Sequence, residues 1–201
     1  MKERILNSAR EQFYRYGVKR ITMDDIARQL GISKKTIYQE YEDKNALLRD
    51  LAQVDMKKHA AEIEQTAKIA LNAVDEIVKT MKYMSETFSQ INPTMLYDLQ
   101  KYHVDAWKYY EAFKANSVTA VVQKNMKRGI KEKLYRGDID IKILTQLRII
   151  EMEFSLNHDF YNQHQFEFVK VQLELIKHFL FGIATLKGHK LINKMLNVKE
   201  K

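Results

Sequence analysis

A single proline, Pro93, and six glycines interrupt a chain of 201 residues. These two residue types end helices and shape tight turns. Their scarcity leaves room for long helices and works against a many-turned β-sandwich or barrel. The expected fold class is therefore all-α. Cysteine is absent, which removes disulfide scaffolds, thiolate metal sites and thiol nucleophiles together and fits a reducing compartment. The opening Met1-Lys2-Glu3-Arg4-Ile5 is charged and unlike a secretory leader. The longest nearly apolar stretch, Phe179 to Leu186, falls far short of the roughly 20 residues that span a bilayer. A cytoplasmic protein with no membrane partner is the expectation.

Apolar periodicity places about nine helices. Leu6, Ala9, Phe13 and Tyr16 share one face of a first helix from Lys2, with Gly17 and Val18 set for a left-handed, Schellman-type end. Thr22-Met23-Asp24-Asp25 reads as a capping box opening a short helix that Gly31 stops. Ser33 caps a third helix to about Tyr41, and Asp43 a fourth to about Ile69. Further helices are expected over about 73–91, 92–102 (after the break at Asn92-Pro93), 104–135, 140–156 and 166–186. Ile139 to Ile143 alternates like a strand, but with no partner strand it is read as a helix entry. Two parts follow, about 1–45 and 46–201, joined by the fourth helix.

The informative stretch is Thr22 to Tyr41. Two short helices meet at Gly31, which can take the positive φ of a tight turn. Ala27 is small where the helices cross, and Ile26, Leu30, Ile32 and Ile37 fill the wedge between them. This is helix-turn-helix patterning, in which the second helix enters the major groove. Its outward residues Ser33, Lys34, Lys35, Thr36 and Tyr38 offer donors for base edges and phosphates.

Thr22-Met23-Asp24-Asp25-Ile26-Ala27, then Gly31 to Tyr38, then Tyr41 and Asp43-Lys44-Asn45-Ala46-Leu47-Leu48 resemble the N-terminal domain of TetR-family transcriptional regulators over about residues 2–50. The resemblance implies a DNA-contacting set of Thr22, Ser33, Lys34, Lys35, Thr36, Tyr38, Tyr41 and Lys44. Thr22 and Lys44 match phosphate-contacting positions, and Tyr41 the aromatic slot after the recognition helix. Glu40 departs from the pattern, since an acid is unhelpful beside phosphate. It either points away or reads a cytosine amino group. The resemblance also implies a homodimer on a near-palindromic duplex, its recognition helices ~34–36 Å apart, and a small-molecule effector bound in the second domain.

In that domain, Val169, Leu173, Ile176, Leu180 and Ile183 follow a 4-3-4-3 stripe like a coiled-coil seam. A second stripe, Phe168, Val171, Leu175 and Phe179, lies beside it. Together they exceed the arc that one docking face needs, so the seam is read as a dimer interface made with the preceding helix, the alternative being a central core helix. Aromatic and methionine side chains concentrate upstream. Met84, Phe88, Tyr97, Trp107, Tyr110 and Phe113 are either core packing or the walls of an effector pocket for an apolar or aromatic molecule.

Net charge is +8, from 34 basic and 26 acidic residues. Residues 1–50 carry eleven basic and eight acidic side chains, so there is no dense basic arm and net charge favours nucleic acid only mildly. No nucleophile elbow, phosphate loop or His-Glu-x-x-His occurs. His158 and His164 near Asp159 match no common zinc spacing, and neither metal nor cofactor is expected. The reading is a ligand-relieved DNA-binding repressor. The alternatives are a helical protein-interaction adaptor with a vestigial helix-turn-helix, and an enzyme on a helical bundle.

Overall fold

The computed structural model describes residues 1–89, 91–92, 94–154 and 166–198. These form α1 (Lys2–Tyr16), α2 (Met23–Leu30), α3 (Lys34–Glu40), α4 (Lys44–Ile69), α5 (Ala73–Phe88), α6 (Thr94–Tyr102), α7 (Val104–Phe113), a π turn (Lys114–Val118), α8 (Thr119–Lys131), α9 (Ile141–Phe154), α10 (Phe168–Ile183) and α11 (Leu186–Leu196). The protein is all-α. Its one isolated bridge among the described residues joins Tyr135 to Ala184. Pro93, the end of the helix expected to reach Leu156, and His158, Asp159 and His164 lie outside the described residues. No helix among the described residues is long and apolar enough to cross a membrane.

The chain divides into two compact units, Met1–His59 with Gln90–Phe113, and Ala60–Ser89 with Lys114–Lys201. The boundary expected near residue 45 thus falls within α4, and the first unit also takes in α6 and α7.

In the first unit α1 buries Ile5, Leu6, Ala9 and Phe13 against Ile26, Ile37, Leu47, Leu48 and Leu51. Met95, Leu99 and Ala106 from α6 and α7 complete the same cluster. Gly17 has φ 82 and ψ 156, so the chain leaves α1 in an extended direction and not through the expected left-handed Schellman cap. Its positive φ still selects glycine. A buried charge clamps α1 to α4. Asp55 accepts from Arg10 Nε at 2.9 Å and from the Tyr14 hydroxyl at 2.8 Å.

The second unit is built on Ala73, Val74, Met126, Leu134, Tyr135, Phe179, Leu180, Ile183 and Ile192. Arg128 reaches Glu76 at 3.1 Å and Glu132 at 2.8 Å and donates to the Ala70 carbonyl at 2.8 Å, joining the end of α4, α5 and α8. Two helices differ from expectation. The long helix from Val104 passes through the π turn, where the Thr119 hydroxyl donates back five residues to the Lys114 carbonyl at 3.1 Å. The last expected helix breaks after Ile183, because Ala184 turns extended to pair with Tyr135 and the Thr185 N–H donates to the Leu134 carbonyl at 2.9 Å. Thr185 then caps α11 by accepting from the Gly188 N–H at 3.1 Å.

The α10 stripe is divided between core and surface. Ile176, Leu180 and Ile183 are buried within their own unit, while Val169 and Leu173 remain half-exposed. The open apolar stripe lies on α9 instead. Ile143, Leu147, Ile150 and Phe154, at 4-3-4 spacing, are between 45 % and 65 % exposed.

Replacing Asp55 by Asn removes the charge that Arg10 and Tyr14 share. We expect a loss of about 1.5–3 kcal/mol of unfolding free energy, the range for hydrogen bonds to a charged group, measured by urea titration followed by circular dichroism.

Candidate nucleic-acid interface

Local chemistry fixes α2 and α3 before any tertiary contact does. The Thr22 hydroxyl oxygen accepts from the Asp25 N–H at 3.2 Å, and the Asp25 carboxylate accepts from the Thr22 N–H at 3.0 Å and from its hydroxyl at 2.6 Å. This reciprocal box satisfies two donors that a helix start would otherwise leave open. It also holds the Asp25 carboxyl below the usual carboxylate range, chiefly through the side-chain bond from Thr22. Gly31 ends α2 in the left-handed conformation, φ 64 and ψ 29. The following Ile32 N–H donates to Ala27 at 3.0 Å. Ser33 caps α3 by accepting from the Thr36 N–H at 3.1 Å, and Asp43 caps α4 by accepting from the Ala46 N–H at 2.7 Å.

One buried residue aims α3. Ile37 has no solvent exposure and anchors the helix in the core of the first unit. The opposite side of a 3.6-residue period must then face outward. Ser33, Lys34, Lys35, Tyr38 and Gln39 are exposed there, and Thr36 is half-buried. Tyr38 keeps 43 % of its surface open. Lys34 is not idle. Its ammonium pairs with Asp24 on α2 at 2.9 Å, and the hydrogen bond to that carboxylate raises its pKa. Glu40, the last residue of α3, is half-buried.

Two members of the expected contact set are placed differently. Tyr41 is 4 % exposed and its hydroxyl donates to Asp50 at 2.8 Å. Its ring is core packing, because the chain turns extended after α3 and folds that side chain inward. Lys44 is half-buried at the start of α4. Its ammonium donates to the Val18 carbonyl at 2.6 Å and the Ile21 carbonyl at 2.5 Å, and burial lowers its pKa. It closes the loop between α1 and α2. Thr22 is exposed, but its N–H and hydroxyl are both engaged with Asp25. Asp24 escaped the sequence reading, although an acid in the first turn of α2 with lysines opening α3 is a visible signal.

The aromatic candidates fall into separate groups, all half-buried. Trp107 and Tyr110 stack at 4.5 Å, and Phe113 lies 6.4 Å from the His59 ring. Tyr97 accepts from Lys101 at 2.8 Å. These four belong to the first unit, Trp107 packing on the same cluster as Ile37. Met84 and Phe88 belong to the second, where Phe88 meets Phe168 edge-on at 5.4 Å. Among the described residues no group of three or more His, Asp or Glu could hold a metal ion.

A capped pair of short helices, with one turned outward by a buried isoleucine and followed by a separate helical unit, defines a helix-turn-helix DNA-binding protein. Residues 5–51 match the family of bacterial regulatory proteins, tetR family. An uncharacterized HTH-type transcriptional regulator, YvaF of Bacillus subtilis (strain 168), is 26% identical over 149 residues, spanning 69% of this chain and 76% of that protein. A TetR-family regulator from Agrobacterium tumefaciens superposes with a TM-score of 0.73 at 13% identity, covering 92% of this chain and 97% of that one. The regulator FadR from Bacillus subtilis, solved in complex with stearoyl-CoA, gives 0.65 at 16% identity, covering 91% and 100%. Residues 5–51 are thus a tetR-type DNA-binding segment, and the chain as a whole is similar to HTH-type transcriptional regulators in sequence and to TetR-family regulators in fold.

The placement of Lys44 has a consequence in the free protein. Lys44→Ala leaves two carbonyls without their charged donor, and we expect it to lower stability by about 1–2 kcal/mol. Lys35→Ala, on the exposed face, should leave the denaturation midpoint within error. Chemical denaturation without DNA checks both.

Proposed function

We propose that this regulator is a homodimeric repressor that reads a near-palindromic operator and is released by an apolar or aromatic small molecule. The observation that carries the reading is the open α9 stripe. Ile143, Leu147 and Ile150 form an apolar ridge, each at least 45 % exposed. Fully burying side chains of this size is worth roughly 1.5–3 kcal/mol each, and a two-fold copy of the same ridge is self-complementary. Val169 and Leu173 of α10, half-exposed, supply the flank that the core has not consumed. The proposed interface is therefore centred on α9, with the half-exposed part of the α10 seam at its edge.

Base and phosphate contacts are assigned to Ser33, Lys34, Lys35, Thr36 and Tyr38 on α3, with Thr22 as a phosphate contact at the start of α2. Lys34 exchanges Asp24 for DNA on binding. Effector binding is assigned to Trp107, Tyr110 and Phe113, with Tyr97, in the first unit; Met84 and Phe88 are separate candidates in the second. The stearoyl-CoA held by FadR supports an apolar effector. Packing of Trp107 on the cluster that holds Ile37 provides the physical link, since an effector acts only through its differential affinity for the DNA-competent and DNA-incompetent states.

Leu147→Asp with Ile150→Asp should yield a monomer of unchanged helicity in sedimentation equilibrium and lose operator binding. A variant that stays dimeric sinks the α9 assignment. Lys34→Ala and Lys35→Ala should weaken binding to genomic fragments selected by the wild type and flatten its salt dependence by about one per contact, with the dimer intact. Stearoyl-CoA added to the operator complex should release DNA, and the milder Trp107→Phe should blunt that release while DNA binding persists. Absence of any duplex binding by the wild type would favour the adaptor reading.

A further inference from the structure

Exposed lysines of the first unit meet carboxylates, as Lys2 does with Asp50, Lys34 with Asp24 and Lys108 with Asp105. Lys19 and Lys101 meet aromatic rings instead. Lys19 Nζ lies 5.9 Å and Lys101 Nζ 5.5 Å from the centroid of one ring, that of Tyr102. Lys101 also sits 5.2 Å from the Tyr97 ring and donates to its hydroxyl at 2.8 Å. All three of Lys19, Lys101 and Tyr102 are exposed, as is Arg20 beside them. Among the described residues no carboxylate is within ion-pair distance of either ammonium. A ring face attracts a cation by only about 0.5–1 kcal/mol at an exposed site. It gathers two positive charges without neutralising them, which leaves a local field that an anion relieves.

The support under this patch is rigid and adjoins the reading head. Lys19 lies three residues before Thr22, the cap of α2. Its loop is held by the Lys44 ammonium at the Val18 and Ile21 carbonyls, and by Asp98 of α6, which accepts the Lys19 N–H at 3.2 Å. The end of α6 is tied in turn to the start of α4, where His103 Nδ1 and Asn45 Oδ1 stand 2.6 Å apart. Hydrogen bonds thus connect the patch to the opening of α2 and the opening of α4 within the first unit. Duplex DNA carries one charge per ~1.7 Å of axis, so a duplex engaged by α3 runs its backbone past neighbouring basic groups.

We propose that Lys19 and Lys101, held on Tyr102, form a second phosphate-binding surface, outside the helix-turn-helix motif, that takes backbone phosphates of DNA flanking the bases read by α3. The proposal rests on the DNA-binding reading above and adds a contact from α6, Lys101, 82 residues from Lys19 in the chain. The contact is to phosphate and carries no sequence information.

The test uses the full-length protein and fluorescence anisotropy on two duplexes, a mixed-sequence 30-mer and a genomic fragment selected by the wild type, across stepped salt. Lys101→Ala and Lys19→Ala are each expected to weaken binding about 3- to 10-fold at low salt and to flatten the salt slope by about one per reading head. The factor should be the same on both duplexes. Lys101→Arg should retain wild-type binding, and Lys58→Ala, which removes one exposed charge from α4 without touching the patch, should change little. If Lys101→Ala and Lys58→Ala behave alike while Lys34→Ala cripples binding, the second surface is overturned and the α3 reading stands. If the wild type binds neither duplex, both fall together.

Discussion

The loop between α1 and α2 has carbonyls that no helix satisfies, and a lysine from the next long helix satisfies them. Lys44 brings a half-buried ammonium to the oxygens of Val18 and Ile21. That arrangement sets where α2 begins relative to α4, and α3 is the short span between them. Burial depresses the Lys44 pKa, with Asp98 and Asp25 offsetting part of the effect. The charge is held there because two carbonyls and two nearby acids compensate its lost water. Ile37 then determines the rotation of α3 about its own axis. Position and rotation together decide which side chains a groove could meet.

What the sequence made legible was local. Thr22, Ser33 and Asp43 cap helices by contacts three residues away, and Gly31 turns the chain with its own φ. Each of these can be read from a short window, because both partners lie inside it. The misplaced residues depended on partners remote in the chain. Tyr41 fitted an aromatic slot, but its hydroxyl goes to Asp50 and its ring into a core closed by α6 and α7. The α10 stripe had coiled-coil spacing, and spacing alone does not tell a dimer seam from a core face. Leu180 and Ile183 pack with Ala73, Val74 and Met126 in the core of their own unit, a cluster that no short window contains. The break at Ala184 was equally hidden, since the chain turns extended there to meet Tyr135, 49 residues earlier.

Inclusion of α6 and α7 in the first unit changes how ligand and DNA could be connected. Trp107 packs on the cluster that contains Ile37 and Leu47. Tightly packed cores do not deform continuously, so a displaced indole must be met by a discrete rearrangement of its neighbours. A ligand that disturbs Trp107 therefore perturbs side chains that also orient α3, with no need for a long relay. The Arg10–Asp55–Tyr14 clamp works in the opposite sense. It ties α1 to α4 through a charge that cannot be left unpaired at low cost, and so keeps the reading head a single body.

Electrostatics on that body is selective, because its net excess of charge is small. Residues 1–50 carry only three more bases than acids, and two of their lysines, Lys2 and Lys34, are spent on nearby carboxylates. Lys34 is held by Asp24, so any phosphate or base that takes Lys34 must displace a neighbour already in place. Such an exchange lowers affinity for every anion equally and leaves discrimination to geometry, which a groove supplies and a lone phosphate does not. Lys19 and Lys101 are held by rings and have no ion pair among the described residues to surrender to a phosphate. Unguarded lysines of this kind offer attachment to phosphate without sequence information, and selectivity is left to the groove-facing side chains of α3.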